Sequence, residues 1–318
     1  MGRILVTPRS LTAEGHPALK PFFDAGHEVV FAAAGRQPTE EELITLLSGC
    51  VGYLAGVEPV TSRVMDAATE LRVISRNGVG IDNIDLNAAR RRGICVCRAE
   101  GANAQGVAEL AVGLLFSLTR AIPFSDHAIK GGGWQRRKGI ELRGKTLGVI
   151  GCGRIGRRTA EMAVGMGMRV LAYDVFADDA FRPSPQFSFT GFEELLAAAD
   201  AISLHCPRQA GGRPLIHAAA LAKVRPGLLL INTARYDLLD ADAVVAALDS
   251  GRLGGVAIDV FDREPPFDNP LVGHDRVIVT PHIGGYTVES VELATSAAVA
   301  NLLNQLAVAP TTGSCHVV

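Results

Sequence analysis

Short apolar runs rich in β-branched residues alternate with stretches of helical spacing along most of the chain. "RILVTP", "HEVVFAA", "GYLAGV" and "LRVISR" are followed by helical patterns near residues 14–25, 39–47, 61–68 and 86–92, and "GICVCRA" closes this block. The runs are continuously apolar and do not alternate with polar residues. That marks strands buried on both faces, and hence a parallel sheet covered by helices. A long helical pattern follows over 103–130, with Asn103 as its candidate cap and Glu109 near its start; "GGGW" ends it. The alternation restarts with six further runs: "KTLGVIG", "RVLAYD", "DAISLHC", "GLLLINTA", "GGVAIDVF" and "RVIVTPH". Six such strands with helices between them make a full dinucleotide-binding sheet. A last helix is predicted over 288–306, and the tail "APTTGSCHVV" reads as frayed. The fold class is therefore α/β, with two doubly wound, Rossmann-like parallel sheets before and after about residue 100.

Composition narrows the partners. The 318 residues carry a net charge of −2, which gives no bulk attraction to nucleic acid or to an anionic membrane. With 48% hydrophobic and 20% charged residues the chain has material for a real core, yet no run long enough to span a bilayer. The start "MGRILVTPRS" does not read as a signal peptide, and Val6 stands where a myristoylation motif needs Ser or Thr. The six cysteines (Cys50, Cys95, Cys97, Cys152, Cys206 and Cys315) form no C-x-x-C pair. They are expected as free thiols in a reducing cytoplasm, with no zinc or other metal site.

The sharpest local signal is "VIGCGRIG". Gly151, Gly153 and Gly156 give G-x-G-x-x-G between a predicted strand and a predicted helix. A second strand ends in Asp174, 23 positions beyond Gly151. These are the contextual conditions for a dinucleotide site. Gly151 permits the tight turn, Gly153 lets the backbone approach a pyrophosphate, and Gly156 lets helix and strand pack closely. Asp174 would accept hydrogen bonds from ribose hydroxyls and repel a 2′-phosphate, so NAD is expected in preference to NADP.

Three later strands end in polar groups: Arg235 in "INTARYD", Glu264 in "DVFDREPP" and His282 in "TPHIGG". Ligands sit at strand carboxyl ends in such sheets. There an Arg can grip a carboxylate with two hydrogen bonds, and a His beside a carboxylate can move a proton near neutral pH. Alone, each could be a surface cation, a solvated loop acid or a structural histidine.

Taken together, "RNGVGIDNID" (76–85), "ANAQGVAELAVGLL" (102–115), "GKTLGVIGCGRIG" (144–156), "INTAR" (231–235), "GGVAIDVFDREPP" (254–266) and "TPHIGG" (280–285) resemble the D-isomer-specific 2-hydroxyacid dehydrogenases over nearly the whole chain. This family includes phosphoglycerate dehydrogenase, glyoxylate reductase and D-lactate dehydrogenase. The resemblance implies a discontinuous substrate domain (residues 1–99 plus 285–318), a nucleotide domain (100–284) and a cleft between them. It also implies a homodimer built through the nucleotide domains and the long-helix arm. Arg235 then binds the substrate carboxylate and carbonyl, His282 exchanges the proton at the substrate oxygen, and Glu264 pairs with His282. The backbone at Asn77, Gly78 and Val79 would hold the carboxylate. Arg154 and Ile155 would meet the pyrophosphate. His205, Cys206, Pro207, Thr233, Ala234, Asp259 and Gly284 complete the cofactor contacts, with Thr233 and Asp259 on the nicotinamide side.

The implied activity is interconversion of a small anionic 2-hydroxy acid and its 2-keto acid with NAD. The alternative is an NADH-sensing binding protein like the C-terminal-binding-protein corepressors, which share the fold. The chain also departs from the family pattern. Tyr236 and Asp237 follow the Arg where two glycines are usual, and Gly106 replaces a frequent Ser. Where phosphoglycerate dehydrogenases place a phosphate-binding Arg-Ser pair, this chain has Ala55 and Gly56. A basic run, Arg136, Arg137 and Lys138, follows Trp134. It reads as a solvated turn or as an anion contact reaching the partner subunit.

Overall fold

The computed structural model describes residues 2–12, 16–209 and 211–308. They divide into two compact units, Met1–Asn103 with Thr287–Val318 and Ala104–Tyr286.

The N-terminal unit runs β1 (Arg3–Val6), α1 (Arg9–Thr12), α2 (Lys20–Asp24), β2 (Glu28–Phe31), α3 (Glu40–Leu46), β3 (Cys50–Ala55), α4 (Ser62–Ala67), β4 (Val73–Arg76), α5 (Leu86–Arg92) and β5 (Cys95–Arg98). Its five strands are all parallel, in the order β2-β1-β3-β4-β5. Side-chain caps fix the helix starts. Thr39 and Glu42 form a reciprocal capping box on α3, while Thr61 and Asp85 cap α4 and α5. The first predicted helix is shorter than its pattern: Glu14 lies outside the described residues, and a 3-10 turn at Pro17–Leu19 precedes α2. Pro17 and Pro21 fall in first turns, the one place in a helix where a missing N–H is harmless.

The central unit opens with α6 (Ala104–Arg120) and α7 (Ile122–Lys130). The predicted single helix over 103–130 is thus corrected to two helices, turning by 63°. Ala121 takes a left-handed conformation (φ 50°), because Pro123 in the first turn of α7 cannot continue the hydrogen-bond ladder of α6. Then come β6 (Thr146–Ile150), α8 (Arg154–Gly165), β7 (Arg169–Tyr173), β8 (Phe187–Phe189), α9 (Phe192–Ala198), β9 (Ala201–Leu204), α10 (Ala218–Leu221), β10 (Leu228–Asn232), α11 (Ala241–Asp249), β11 (Leu253–Ile258) and β12 (Val277–Val279). The sheet has seven parallel strands, ordered β12-β11-β10-β9-β6-β7-β8, one more than predicted. The extra strand, β8, is only three residues long. Phe187 within it packs edge-on against Phe181 and Phe189, each at 5.1 Å.

The chain then returns to the N-terminal unit with α12 (Val288–Ala307). Ala298, Val299 and Leu302 pack with Ile4, Val6 and Leu54 of the sheet. Gly52 faces that helix because a Cβ there would stand 2.9 Å from Leu302 Cδ2. The cysteines at 50, 95, 97 and 152 are buried and Cys206 is half-buried, none of these five in a disulfide, and Cys315 and the tail lie outside the described residues. Among the described residues no single helix is long and apolar enough to cross a membrane, and no cluster of His, Cys, Asp and Glu could hold a metal ion.

Candidate active site

At the middle of the central sheet β6 lies between β7 and β9, so the order reverses there and leaves a crevice at the strand ends. Gly151 leaves β6 with φ 91°. A Cβ on it would stand 2.5 Å from Cys206 N and 2.6 Å from His205 C, where β9 ends. Gly156 sits against the same turn, since a Cβ would fall 1.9 Å from Gly151 O. Gly153, the N-cap of α8, has open space over it, and Arg154 beside it is exposed. The cradle therefore leaves the start of a 12-residue helix open to an anion. At the end of β7 Asp174 is oriented by two backbone donors, Cys152 N–H (2.6 Å) and Phe176 N–H (2.8 Å).

Two buried polar atoms at this rim lack a partner among the described residues: Nδ1 of His205 and Oγ1 of Thr233. Orphaned buried atoms of this kind fit a polar ligand, and so fit a dinucleotide here. His205 also shares a 2.8 Å hydrogen bond between Nε2 and Ser203 Oγ, and burial pushes its pKa down to about 3. It therefore stands as a neutral ring.

Arg235, Glu264 and His282 follow β10, β11 and β12, three neighbouring strands, so all three are carried at the same rim. Asn232, wholly buried at the end of β10, shapes the turn that presents Arg235. Its Nδ2 donates to Arg235 O (2.8 Å), and its Oδ1 accepts Ala234 N–H (3.1 Å). His282 Nδ1 is 2.8 Å from Glu264 Oε1. A carboxylate only accepts, so Nδ1 carries the proton in that bond and Nε2 is the nitrogen left to exchange one with a ligand.

His282 itself has φ 53°, a strained value for a residue with a Cβ. What holds it there is Asp259, 1% exposed. One carboxylate oxygen accepts Thr280 Oγ1–H (2.6 Å) and Ile283 N–H (2.8 Å), and the other accepts Gly284 N–H (2.8 Å). Asp259, expected on the nicotinamide side, therefore gathers the backbone of the His282 loop.

Residues 112–284, from within α6 to this loop, match the model of the D-isomer specific 2-hydroxyacid dehydrogenase, NAD binding domain. The chain belongs to the D-isomer specific 2-hydroxyacid dehydrogenase family. Within it, the chain is 42% identical over 234 residues to D-3-phosphoglycerate dehydrogenase of Archaeoglobus fulgidus, covering 73% of this chain and 44% of that one. It is 38% identical over 236 residues to hydroxypyruvate reductase of Thermotoga maritima, covering 73% and 76%. The crystal structure of TT0316 protein from Thermus thermophilus superposes with a TM-score of 0.85 at 36% identity, over 96% of both chains. The chain spans about half the length of the phosphoglycerate dehydrogenases it matches. None of these relatives favours the corepressor reading.

The departures from the family pattern have concrete places. Tyr236 and Asp237 form a 3-10 turn after Arg235. Asp237 pairs with Arg208 from the loop after β9, and burial with the nearby charges of Asp262 and Asp242 raises the Tyr236 pKa. In the basic run, Arg137 lies 3.5 Å over the Phe124 ring and reaches Asp275 O at 3.5 Å.

In the N-terminal unit the loop of Asn77, Gly78 and Val79 follows β4. Asn77 N–H donates to Ala55 O and Gly78 N–H to Arg76 O, each at 2.9 Å, so this loop is tied to the ends of β3 and β4. Sequence reasoning also passed over Asn232, Thr280 and Arg76. The signal available for Asn232 was its place in a strand's last position, where an amide can bond its own backbone two residues on.

Proposed function

We propose that the chain is an NAD-dependent oxidoreductase that interconverts a small 2-hydroxy acid and its 2-keto acid. The observation that carries this reading is the 2.8 Å pair of His282 Nδ1 and Glu264 Oε1, on the rim that also bears the glycine cradle and Arg235. NAD, when bound, supplies or accepts the hydride at the substrate's C2. The remaining work belongs to the chain's own residues. Arg235 grips the substrate carboxylate and steadies the negative charge that develops on the C2 oxygen. His282 Nε2 delivers a proton to that oxygen in reduction and removes it in oxidation, while Glu264 stabilises the imidazolium. In the N-terminal unit the backbone of Asn77, Gly78 and Val79 holds the substrate carboxylate, on a loop braced by the bonds of Asn77 and Gly78.

On the cofactor side, Gly151, Gly153, Arg154, Ile155 and Gly156 receive the pyrophosphate. Asp174 receives the ribose hydroxyls and disfavours a 2′-phosphate, so NAD is preferred to NADP. His205, Cys206, Pro207, Thr233, Ala234 and Gly284 line the nicotinamide half. Asp259 reaches that half through the loop it organises. The chain works as a homodimer through α6 and α7, and the five described cysteines, none in a disulfide, suit a reducing cytoplasm.

The test is NADH oxidation by purified protein over a panel of 2-keto acids, with NADPH and His282→Ala alongside. Turnover of at least one acid is expected, lost by a factor of about 10³ or more in the variant. Tight NADH binding with no turnover across the panel sinks the reading.

A further inference from the structure

The N-terminal sheet has a reversal of its own. It lies between β1 and β3, and the strand ends there are Thr7 and Gly56. In doubly wound sheets such a point is where ligands enter. In this chain it is filled from within, by the carboxylate of Glu58, which is 1% exposed. Its Oε1 accepts Tyr53 OH (2.5 Å), Gly56 N–H (2.8 Å) and Thr7 OH. Its Oε2 stands 2.6 Å from where a Cβ of Gly56 would be. Thr7 Oγ1 also accepts Gly56 N–H at 3.0 Å, and Asn83 Nδ2 donates to Glu58 O (2.7 Å) and Gly56 O (3.3 Å). One backbone amide and two hydroxyls converging on an oxygen are the donor set of an oxyanion site.

Arg76, at the end of the next strand, completes the cluster. Its Nη1 donates to Asn77 O, so its guanidinium underlies the loop assigned above to the substrate carboxylate. Its Nε is buried with no partner among the described residues. Burial lowers the Arg76 pKa, and the charge of Glu58 opposes that. The cluster therefore holds one cation and one anion. Without Glu58 it would present an uncompensated cation and an open set of donors.

We propose that Glu58 determines substrate class: its carboxylate fills the oxyanion position of the N-terminal unit, offsets Arg76, and bars 2-keto acids bearing a second negative group at C3. The chain then acts on acids whose C3 is absent or carries a neutral substituent. This rests on the reading that the N-terminal unit holds the substrate. The absence of the Arg-Ser pair at Ala55 and Gly56 removes the cation a phosphate ester needs, and Glu58 adds a repulsive charge beside it.

The test has two arms. In the first, kcat/KM is measured with NADH for glyoxylate, pyruvate and hydroxypyruvate against phosphohydroxypyruvate and oxaloacetate. The native chain favours the first three. Glu58→Gln keeps an acceptor oxygen for Tyr53, Thr7 and Gly56 but removes the charge, and the ratio of kcat/KM for acids with a second negative group at C3 to that for the monoanionic acids rises about tenfold or more. Native turnover of phosphohydroxypyruvate as good as that of hydroxypyruvate overturns the proposal, as does an unchanged ratio in the variant. The second arm needs no turnover. With the glycine cradle saturated by NADH, inorganic phosphate is titrated against the thermal midpoint of the full chain, which rises for Glu58→Gln and not for the native protein. A phosphate response in the native protein, or none in the variant, overturns the filled position. If Glu58→Gln does not fold, the native selectivity and native phosphate titration still decide. Silence with every acid, together with a phosphate response confined to the variant, counts against the functional reading and leaves the filled position standing.

Discussion

His205 shows how one buried ring ties the cofactor crevice to pH. Its ordinary pKa is 6.5 and burial takes it to about 3, so the folded chain binds this proton more weakly than the unfolded chain does. The stability tied to the neutral ring is fully present above about pH 6.5 and is lost as pH falls towards 3, by about 1.4 kcal/mol per pH unit. Between pH 7.5 and pH 5 the loss from this group is about 2 kcal/mol, a ceiling because the residue keeps some exposed surface. Denaturant unfolding at the two pH values measures it. His205→Gln is expected to flatten the difference, and an undiminished difference in the variant would assign the pH dependence to other groups. The sequence placed His205 at a strand end but carried no sign of its protonation. Arg235, Glu264 and His282 were legible because each is a reactive side chain at the end of an apolar strand. Glu58 was not, because it acts on a backbone amide and two hydroxyls whose facing only the folded chain reveals.

The turn from β12 towards α12 is the element that carries His282, and it is built around a carboxylate. Thr280, Ile283 and Gly284 converge on Asp259, and this offsets the left-handed backbone of His282, whose strain is about 1–3 kcal/mol. Asp259→Asn replaces one accepting oxygen with a donating amide, which cannot receive the N–H or O–H it meets. Stability should fall by about 2–3 kcal/mol and kcat by about tenfold or more, with NADH affinity nearly unchanged. Thermal unfolding, single-turnover rates and NADH titration separate the outcomes. A loss confined to NADH affinity would return Asp259 to a direct nicotinamide contact. Other elements show where a linear pattern misleads. The periodicity over 103–130 is unbroken in hydropathy, and only Pro123 signals the bend at Ala121. β8 was missed because three residues carry too little periodicity, although its place at the sheet edge follows once β7 is set.

At the scale of the whole molecule, the central unit leaves an apolar face that its own core does not use. α6 turns Ala111, Leu114 and Leu115 into the core with Leu147 and Val149, while Phe116, Ile122, Ile129 and Ile140 stay about half exposed and Trp134 is 82% exposed. Phe116 and Ile140 border a cavity of about 280 Å³ that Leu142 and Met166 also line. Exposed apolar groups on one arm are the kind of surface at which a protein–protein contact is to be tested. A second copy is the occupant the family resemblance implies, because a twofold dimer joins the same patch on both chains. Light scattering at micromolar concentration should give about 67 kDa, twice the 33.5 kDa of one chain. Ile129→Asp combined with Trp134→Arg puts charge on that face and should give the monomer mass. Neither side chain belongs to the core cluster that carries the glycine cradle, so each chain should still titrate NADH one to one. A native protein that stays at one chain's mass across that range, or a variant that remains dimeric, would place the contact elsewhere on the surface.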